Sequence, residues 1–428
     1  MRSSRISKLV LHDVVVSAVI AILASGGIRL LVGVAAAASP VTLKFVTWSD
    51  VKNVPITEAQ IKAFEASHPN IKIDWTNVPS GYASKVLTML AAGEAPDVFW
   101  LSFTDIPQWV NRGSLLNLKP YMDKDEQFQS WKNDYVPILL QGYEYEGGMY
   151  GLPNAFNPIV LYYNADMFDA AGIKRPDSPW SWDQFVQVAM RLTGPDRYGY
   201  ADRGEWIHWV WQAGGEVMSG DRRKALINQP GAVQGLKFAQ DLMHRFRVQP
   251  PPGALKISAL EMFAQGQIAM YGDGGWKFPA FIAGQLRFNW SVGVWPKKVR
   301  EATRVLFDGG VVFSGTKYPQ EAWEFVKWYS GPPGQEINAR MSRLTTPVLR
   351  STVQASIPPN DPFRSQLLAR FQAAVYGRLW PSIIQQDELN AIIWRYQRML
   401  WAAEIPADQV ATQMADEIQK LLDKEPRR

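Results

Sequence analysis

The sequence predicts an α/β protein with a mostly parallel β-sheet, and three observations lead to this prediction. Segments with strand and helix patterns alternate after residue 40. The chain has 428 residues, enough for two or more hydrophobic cores. Apolar residues make up 47% and charged residues 20%, which is the composition of a globular protein. Because ligands bind at the strand ends of such sheets, a site is expected there.

The first part of the pattern is a unit of three strands and two helices. Alternating apolar residues predict strands at 41–48 and 71–78, and DVFWL, residues 97–101, is predicted as a third strand. A capping box of Thr57 and Gln60 predicts the start of the first helix. The second helix is expected over Tyr82–Ala92, with Gly93 as its stop. Strands that alternate with helices in this way pair in parallel.

The later elements are less regular. Residues 149–164 contain two short apolar runs around a Pro/Asn break, which makes them the best candidate for a crossing between domains. Ser181 and Gln184 form a capping box that opens a helix. Strands are predicted in QIAMYGDGGW and NWSVGVWP, and a helix with proline and glycine at its ends in PQEAWEFVKWYSGPPG. The last 65 residues are expected to be mostly helical.

The first 38 residues differ from the rest and predict a secretory signal. They have a basic start (MRSSRISK), an apolar middle (VVVSAVIAILASGG) and small residues, including Ala36 and Ala38, before the expected cleavage near Ser39. A transmembrane anchor is the alternative, but the apolar run is short and Arg29 interrupts it. No later segment is apolar enough to span a membrane.

Cysteine and charge exclude further classes. The chain has no cysteine, so it has no disulfide framework, no catalytic thiolate and no cysteine for a lipid anchor. Together with the signal, this leads us to expect an exported protein, periplasmic or extracellular, without a lipid anchor. Without the first 38 residues, 41 basic and 39 acidic side chains remain, and no basic run carries interleaved aromatic residues. The sequence therefore does not indicate nucleic-acid binding.

The usual catalytic and metal-binding motifs are missing. After the signal the histidines are isolated in sequence, no HExxH occurs, and no G-x-S-x-G elbow occurs. The stretch GDGGW, residues 272–276, fails both phosphate patterns. A P-loop needs Ser or Thr after its lysine, but Phe278 follows Lys277, and a dinucleotide loop needs glycine at 277. We expect no metal and no cofactor.

Carboxylates leave one enzymatic alternative open. Five acidic residues could line a cleft, namely Asp50, Asp105, Glu144, Glu205 and Asp273. Two carboxylates beside tryptophan side chains, of which the chain has 18, are what a glycosidase needs. Each of these acids could instead be solvated or cap a helix.

Blocks along the chain resemble extracellular solute-binding proteins of bacterial ABC importers, in particular the maltose and oligosaccharide binders. The blocks are FEASHPNIKIDW with YASKVLTMLAAGEAPDVFWL, YEGGMYGLPNAFNPIVLYYNADMFDAAGI with PWSWDQF, GQIAMYGDGGW, and SGTKYPQEAWEFVKWYSGPPGQE. They occur in the family's order and cover nearly the whole chain after the signal. The resemblance implies a maltose-binding-like, type II periplasmic-binding-protein fold with two α/β lobes, hinge crossings and a ligand cleft between the lobes.

Members of the family are not enzymes, and the resemblance implies that this chain acts as they do. A member binds its solute, closes, and docks on a membrane permease. The resemblance places hinges at about 153–157, 276–284 and 316–322. It implies a first lobe of 40–153 plus 284–316 and a second of 158–276 plus 322–428. We expect a monomer whose partners are a small-molecule sugar and the membrane subunits of an ABC permease.

The resemblance also implies ligand-binding residues at strand ends and hinges. They are Trp48, Ser49, Asp50, Tyr82, Trp100, Ser102, Asp105, Asn154, Phe156, Trp206, Trp209, Gly275, Trp276 and Arg343. Trp276 would stack on the C–H face of a sugar ring, and the glycines beside it would let the backbone approach the ligand. A carboxylate such as Asp50 would accept two sugar hydroxyls. The alternative for each residue is core packing, helix capping or a surface ion pair.

Aromatic, carboxylate and amide groups at these positions suit a neutral, hydroxyl-rich solute, and we expect a sugar, in particular an oligosaccharide. A cationic polyamine would suit aromatic and acidic walls through cation–π contacts. Glycerol phosphate is a further alternative, although few Arg or Lys residues lie at the strand ends. Tyr162 and Tyr163 superficially match a ferric-iron pair, but neighbours on a strand face opposite ways.

Overall fold

The computed structural model of the chain describes residues 40–49, 51–251, 253–254, 257–342 and 346–425. Three sequence predictions lie outside this part of the chain: the signal at 1–38, and the ligand-binding roles of Asp50 and Arg343. The described residues form one compact unit.

The strands and helices alternate along much of the described chain. The strands are β1 (Val41–Thr47), β2 (Ile71–Asn77), β3 (Val98–Ser102), β4 (Glu144–Tyr145), β5 (Gly148–Met149), β6 (Leu152–Asn164), β7 (Tyr198–Asp202), β8 (Ile268–Gly274), β9 (Trp290–Gly293), β10 (Thr303–Val312) and β11 (Gly377–Arg378). The helices of the first half are α1 (Val54–Ser67), α2 (Tyr82–Ala91), α3 (Ile106–Asn111), α4 (Lys119–Lys124), α5 (Glu126–Trp131), α6 (Pro137–Gln141), α7 (Ala165–Ala170), α8 (Trp182–Leu192) and α9 (Ile207–Gln212). Those that follow are α10 (Pro230–His244), α11 (Ala259–Ala264), α12 (Phe278–Ala280), α13 (Pro319–Ser330), α14 (Pro332–Met341), α15 (Arg350–Ser356), α16 (Arg364–Val375), α17 (Gln386–Ala402) and α18 (Ala407–Leu422).

One large sheet runs through the molecule in the order β2-β1-β3-β10-β6-β8-β7, with β9 also paired to β6 and β11 to β10. The prediction of a mostly parallel sheet is right at β1–β3 and wrong at the centre. There β10 runs antiparallel to both β3 and β6, and β6 runs antiparallel to β8. The sheet is therefore mixed, and its two central antiparallel strands connect the halves.

Strand β6 belongs to both halves of the sheet. Its first part, Leu152–Pro158, pairs with β10, and its second part, 159–163, pairs with β8. Strand β9 also pairs with the second part of β6. Most of the predicted crossing at 149–164 is thus a single long strand, Leu152–Asn164, and Met149 ends β5.

Helices α13 and α14 lie against the first half of the sheet. Helix α13 packs on β1 and β10, and α14 packs on α1. The predicted capping box at the start of α1 is wrong, because Pro55 lies in the first helical turn and the helix begins three residues earlier, at Val54. Gln60 instead donates to the carbonyl oxygen of Gly334 at 2.9 Å, which ties α1 to α14.

Other local predictions agree closely with the structure. The capping box of Ser181 and Gln184 is present at the start of α8. Gly93 follows α2 with a φ of 73°, a left-handed conformation that glycine adopts without strain. Among the described helices, none is both long and apolar enough to cross a membrane.

Candidate functional site

A cleft of about 370 Å³ opens where strands of the two halves meet. Its lining comprises Trp48, Ser49, Asn53, Trp100, Ser102, Phe103, Thr104, Asn154, Ala155, Asn157, Trp276, Arg304, Leu306, Phe307 and Asp308. Because β1 and β3 are parallel neighbours, their carboxyl ends meet at one edge of the sheet. This brings together Trp48, Ser49, Trp100 and Ser102. Asn154 from β6 and Trp276 from the turn after β8 complete the set of six lining residues that the sequence predicted.

Strand β10 supplies the wall that the sequence analysis missed. Along β10, Arg304, Leu306 and Asp308 are partly exposed, and the residues between them are buried. The register of β10 against β6 shifts between Asp308 and Gly309, where a β-bulge re-aims the strand. A side chain at Gly309 would not fit, since its Cβ would lie 2.1 Å from the carbonyl oxygen of Leu152.

The first-half side of the cleft is a cluster of aromatic rings. The ring of Trp48 meets those of Tyr82 and Trp100 edge to face, with centroids 4.6 and 5.6 Å away. Tyr82 was predicted to meet the ligand, but its hydroxyl donates to the carbonyl oxygen of Trp100 at 2.7 Å. Burial raises the pKa of Tyr82 well above its usual value. We infer that Tyr82 holds Trp48 and Trp100 in place.

Trp276 forms the opposite side, and its position explains the GDGGW stretch. The first three residues of this stretch complete β8, and Gly275–Lys277 form a single 3₁₀ turn. The Trp276 ring folds back over Gly274, where an added Cβ would lie 2.2 Å from the ring. Gly274 thus allows the indole to lie against the backbone. The guanidinium carbon of Arg203 lies 5.2 Å from the centre of the Trp276 ring.

Two carboxyl groups near the cleft have raised pKa values. Burial, followed by the charge of Asp105, raises the pKa of Asp308 to about 7, although a hydrogen bond from Trp48 opposes the rise. Burial, followed by the charge of Asp387, raises the pKa of Asp105 to about 6. Asp105 was predicted to contact the ligand, but it lies behind the lining, beside Thr104.

Three polar atoms in the wall have no hydrogen-bond partner among the described residues. They are Nε1 of Trp100, Oδ1 of Asn157 and Nε of Arg304. All three residues line the cleft. Buried polar atoms are rarely left unpaired, and a ligand with both donors and acceptors could pair with these three once the wall side chains turn to expose them.

A second chamber of about 250 Å³ adjoins the cleft and shares Thr104, Arg304 and Leu306 with it. Its charges are paired: Glu205 lies 3.2 Å from Nη1 of Arg203 and 3.3 Å from Nη1 of Arg304. Arg304 also lies 4.2 Å above the ring of Trp380. The chamber is therefore aromatic and polar, and the buried carboxylate in its lining, Glu205, forms ion pairs with both arginines.

Four predicted site residues have other positions. Trp206 lines only the second chamber, is 1% exposed, and donates to Gln397 at 3.1 Å. Trp209 and Phe156 were predicted to bind ligand and are core residues instead, both almost fully buried. Gly275 is also buried, and a Cβ there would lie 2.9 Å from Oδ1 of Asn157.

The remaining acids suggested for a glycosidase do not form a pair in the cleft. Asp273 accepts from the hydroxyl of Tyr271 at 2.8 Å and from the amide of Gly274 at 2.7 Å. Glu144 is exposed on the β4–β5 hairpin. The two tyrosines considered for iron also face different partners, since the hydroxyl of Tyr162 donates to Gly274 and that of Tyr163 to Asp177.

Comparison with known proteins agrees with this architecture. A sequence profile described as bacterial extracellular solute-binding protein matches residues 59–362. The maltotriose-binding protein of Pyrococcus abyssi is 21% identical over 335 residues, which cover 74% of this chain and 69% of that protein. These matches extend over both halves of the sheet.

Two solved structures superpose over most of the chain. One is an ABC substrate-binding protein from Listeria monocytogenes in complex with cycloalternan, with a TM-score of 0.78, 23% identity, and coverage of 90% of this chain and 100% of that one. The other is the sugar-binding protein of Xanthomonas citri, with a TM-score of 0.79, 21% identity, and coverage of 90% and 98%. The type II periplasmic-binding-protein fold implied by the sequence is thereby confirmed.

Proposed function

Because the chain belongs to the bacterial extracellular solute-binding proteins, we propose that it is the receptor of an ABC importer and that its solute is an oligosaccharide. One observation carries the proposal. Trp48, Trp100 and Trp276 line a single cleft together with the carboxylate of Asp308 and the amides of Asn154 and Asn157. Indole rings suit the apolar face of a pyranose, and the polar groups suit its hydroxyls.

The unpaired polar atoms favour a sugar over a polyamine. Nε1 of Trp100 and Nε of Arg304 are donors, whereas Oδ1 of Asn157 is an acceptor. A hydroxyl both donates and accepts, so a sugar can satisfy all three atoms. A polyammonium ion only donates, and it would also face the charge of Arg304. Similar proteins support the same class, since they include a maltotriose-binding protein and a galactooligosaccharide-binding protein.

Glycerol phosphate is disfavoured by the pairing of the nearby cations. Arg203 and Arg304 are the cationic side chains that line the two chambers within the described residues, and both contact Glu205. A phosphate dianion would compete with that carboxylate and lie near Asp308. Arginines that bind phosphate are normally free to make bidentate contacts with it.

Binding is proposed to occur by closure of two lobes around the cleft. Strands β6 and β10 connect the halves, so we propose that the lobes move about them. The contacts suggest boundaries that differ from those expected from the sequence. Residues 290–293 pair with the second part of β6, and 319–341 packs on α1, β1 and β10. We therefore assign 290–293 to the second lobe and 319–341 to the first.

The remaining parts of the proposal concern where the protein acts. We propose that residues 1–38 direct its export and that the folded chain acts outside the cytoplasmic membrane as a monomer. There it would deliver the solute to the permease unchanged, without catalysis.

A glycosidase is the second candidate function, and the raised pKa of Asp308 is the observation that favours it. A carboxyl group that stays protonated near pH 7 can act as a general acid.

Calorimetric titration tests the proposal. The chain from Ser39 onward would be titrated with maltotriose, cycloalternan and galactooligosaccharides, with glycerol 3-phosphate and spermidine as controls. We expect saturable binding of at least one oligosaccharide and its recovery unchanged after prolonged incubation. Cleavage of the bound sugar would favour the glycosidase. A response to spermidine alone would replace the sugar by a polyamine.

A further inference from the structure

Arg203 connects the Trp276 ring in the cleft to two buried carboxylates. Its guanidinium carbon lies 5.2 Å from the centre of the Trp276 ring. Its Nη1 lies 3.2 Å from a carboxylate oxygen of Glu205, and its Nε lies 3.7 Å from one of Asp273. These two acidic side chains are 6% and 4% exposed, whereas that of Arg203 is 38% exposed. The guanidinium thus contacts an aromatic ring and two fixed negative charges at once.

The backbone places Arg203 beside the turn that carries Trp276. Strands β7 and β8 are parallel neighbours, and Asp202 lies opposite Gly272 in their register. One residue later, the amide of Arg203 donates to the carbonyl oxygen of Gly272 at 3.2 Å. The side chain of Asp202 then accepts from the amide of Gly204 at 2.7 Å. The chain is therefore fixed on both sides of Arg203, at the end of β8 from which Trp276 follows.

The two carboxylates that hold the guanidinium have other partners as well. Asp273 accepts from the hydroxyl of Tyr271 at 2.8 Å and from a backbone amide at 2.7 Å. Glu205 also forms an ion pair with Nη1 of Arg304, at 3.3 Å. Because each carboxylate is held independently of Arg203, each can serve as an anchor for it.

The Trp276 ring is supported on one face by the backbone. A Cβ added to Gly274 would lie 2.2–2.3 Å from three adjacent atoms of the six-membered ring, so Gly274 lies against a face of the indole rather than its edge. Trp276 lines the cleft but not the second chamber, and Arg203 lines the second chamber but not the cleft. The guanidinium therefore contacts the ring from the side of the second chamber, and the cleft side stays open to a solute.

We propose that Arg203 is a positioning residue for Trp276. Anchored by the two carboxylates, it fixes the indole in the orientation in which the cleft side of the ring can stack on a sugar, and it does not touch the sugar itself. The proposal rests on the proposed function, because it takes the solute to be a sugar that stacks on Trp276. A ring that is held in place before binding loses less conformational freedom on binding, so its contact contributes more to affinity.

Fluorine NMR of the sugar-free protein, labelled with 5-fluorotryptophan, tests whether Arg203 fixes the ring. The resonance of Trp276 is the one that Trp276→Phe removes from the spectrum. Arg203→Gln should free the ring and lengthen the transverse relaxation time of this resonance about twofold. Arg203→Lys keeps the positive charge and should lengthen it less. An unchanged relaxation time in Arg203→Gln would overturn the proposal.

Arg245→Gln is the matched control for the NMR measurement. The guanidinium carbon of Arg245 lies 5.0 Å from the centre of the Phe246 ring, and its Nη1 lies 3.5 Å from a carboxylate oxygen of Asp241, outside the cleft and the second chamber. Its loss should leave the Trp276 resonance unchanged. Thermal unfolding shows whether each variant folds, and Arg203→Lys carries the test if Arg203→Gln does not.

Calorimetry measures the consequence for binding. The probe is the sugar that binds best among maltotriose, cycloalternan and galactooligosaccharides. Arg203→Gln should weaken its affinity about two- to fivefold, as befits one cation–π contact. The same substitution in Trp276→Ala should change the affinity by less than about 1.5-fold, because the ring that Arg203 positions is gone.

Two results separate this role from others. An equal loss of affinity in both backgrounds would show that Arg203 acts independently of Trp276, and would overturn the positioning role. If none of the oligosaccharides binds to the parent, the proposed function fails, and the relaxation time in the sugar-free protein still decides whether Arg203 fixes the ring.

Discussion

Two groups of tryptophan residues have opposite relations to solvent. Trp48, Trp100 and Trp276 are half-buried and line the cleft, where their rings present faces to a solute. Trp209 and Trp295 are 1% exposed and pack against each other with ring centres 5.7 Å apart. The difference shows that tryptophan content alone does not locate a binding surface. What distinguishes the cleft group is its position where β1, β3 and the turn after β8 meet at the cleft, which leaves each ring partly exposed.

Loss of a core ring should have the largest effect on stability. Trp209→Ala removes a ring that meets Trp182, Phe185, Tyr200 and Phe238, and we expect a loss of about 3–5 kcal/mol in the free energy of unfolding. Urea denaturation measures it. Trp394→Ala, at a side chain that is 57% exposed, is the control and should change stability by less than about 0.5 kcal/mol. Equal effects of the two variants would contradict the assignment of Trp209 to the core.

Loss of a cleft ring should act on binding instead. Trp276→Ala should weaken the affinity for the best oligosaccharide about thirtyfold, which corresponds to about 2 kcal/mol for a central aromatic contact. Calorimetry measures the affinity. Trp180→Ala is the matched control, because Trp180 is also half-buried but packs on Phe185 outside the cleft. If both variants bind as the parent does, Trp276 is not a ligand contact.

His208, which lies among the core tryptophans, gives a second test of the core. His208 lies between Trp209 and Trp295 with both ring nitrogens unpaired among the described residues, and burial lowers its pKa to about 3. His208→Leu should raise the free energy of unfolding by about 1–2 kcal/mol, because an unpaired polar group is removed.

The same histidine predicts a dependence on pH. The unfolded chain binds a proton at His208 below about pH 6.5, and the folded chain does not until about pH 3. The parent should therefore lose stability as pH falls below 6.5, and His208→Leu should lose less. Denaturation at pH 5 and 7.5 compares them. A smaller advantage of the variant at pH 5 than at pH 7.5 would contradict this account.

Asp308, in the cleft, should make stability depend on pH in the opposite direction to His208 and with a smaller change in the free energy of unfolding. The folded chain holds the proton of Asp308 up to about pH 7, whereas the unfolded chain releases it near pH 4. Stability should thus fall as pH rises between these values. Asp308→Asn removes that fall, so its stability relative to the parent should increase by on the order of 1 kcal/mol between pH 5 and pH 8. A constant difference across this range would refute the assignment.

The sequence predicted the elements better than the contacts between them. Strands β1, β2 and β3 were found within a residue or two because each carries a local signal, which is an alternation of apolar side chains in β1 and β2 and a short apolar run in β3. Strand β10 was missed, and with it Arg304, Leu306 and Asp308. Its burial alternates in the structure, but its sequence does not, because Val305, Leu306 and Phe307 are consecutive apolar residues. Its position between β3 and β6 depends on pairings with residues far away in the chain, which no local pattern reveals.

The site residues show the same limit. Trp206 and Trp209 lie three apart on one helical face, which is equally consistent with a ligand platform and with a core stripe. Burial of the whole of α9 assigns Trp209 to the core, whereas Trp206, just before the helix, lines the second chamber. Asn157 was passed over in favour of Asn154 on the same strand, yet both line the cleft. The pairing of β6 with β10 is what brings Asn157 beside Leu306.

The central claim is that a sugar binds against the half-buried tryptophans between the two halves. A crystal structure of the protein with its best oligosaccharide tests this most directly. We predict a pyranose ring in contact, within about 4.5 Å, with Trp276 or Trp100, and hydroxyls bonded to Asp308 or Asn157. A sugar that binds outside this cleft, with those side chains unchanged and unpaired, would contradict the account.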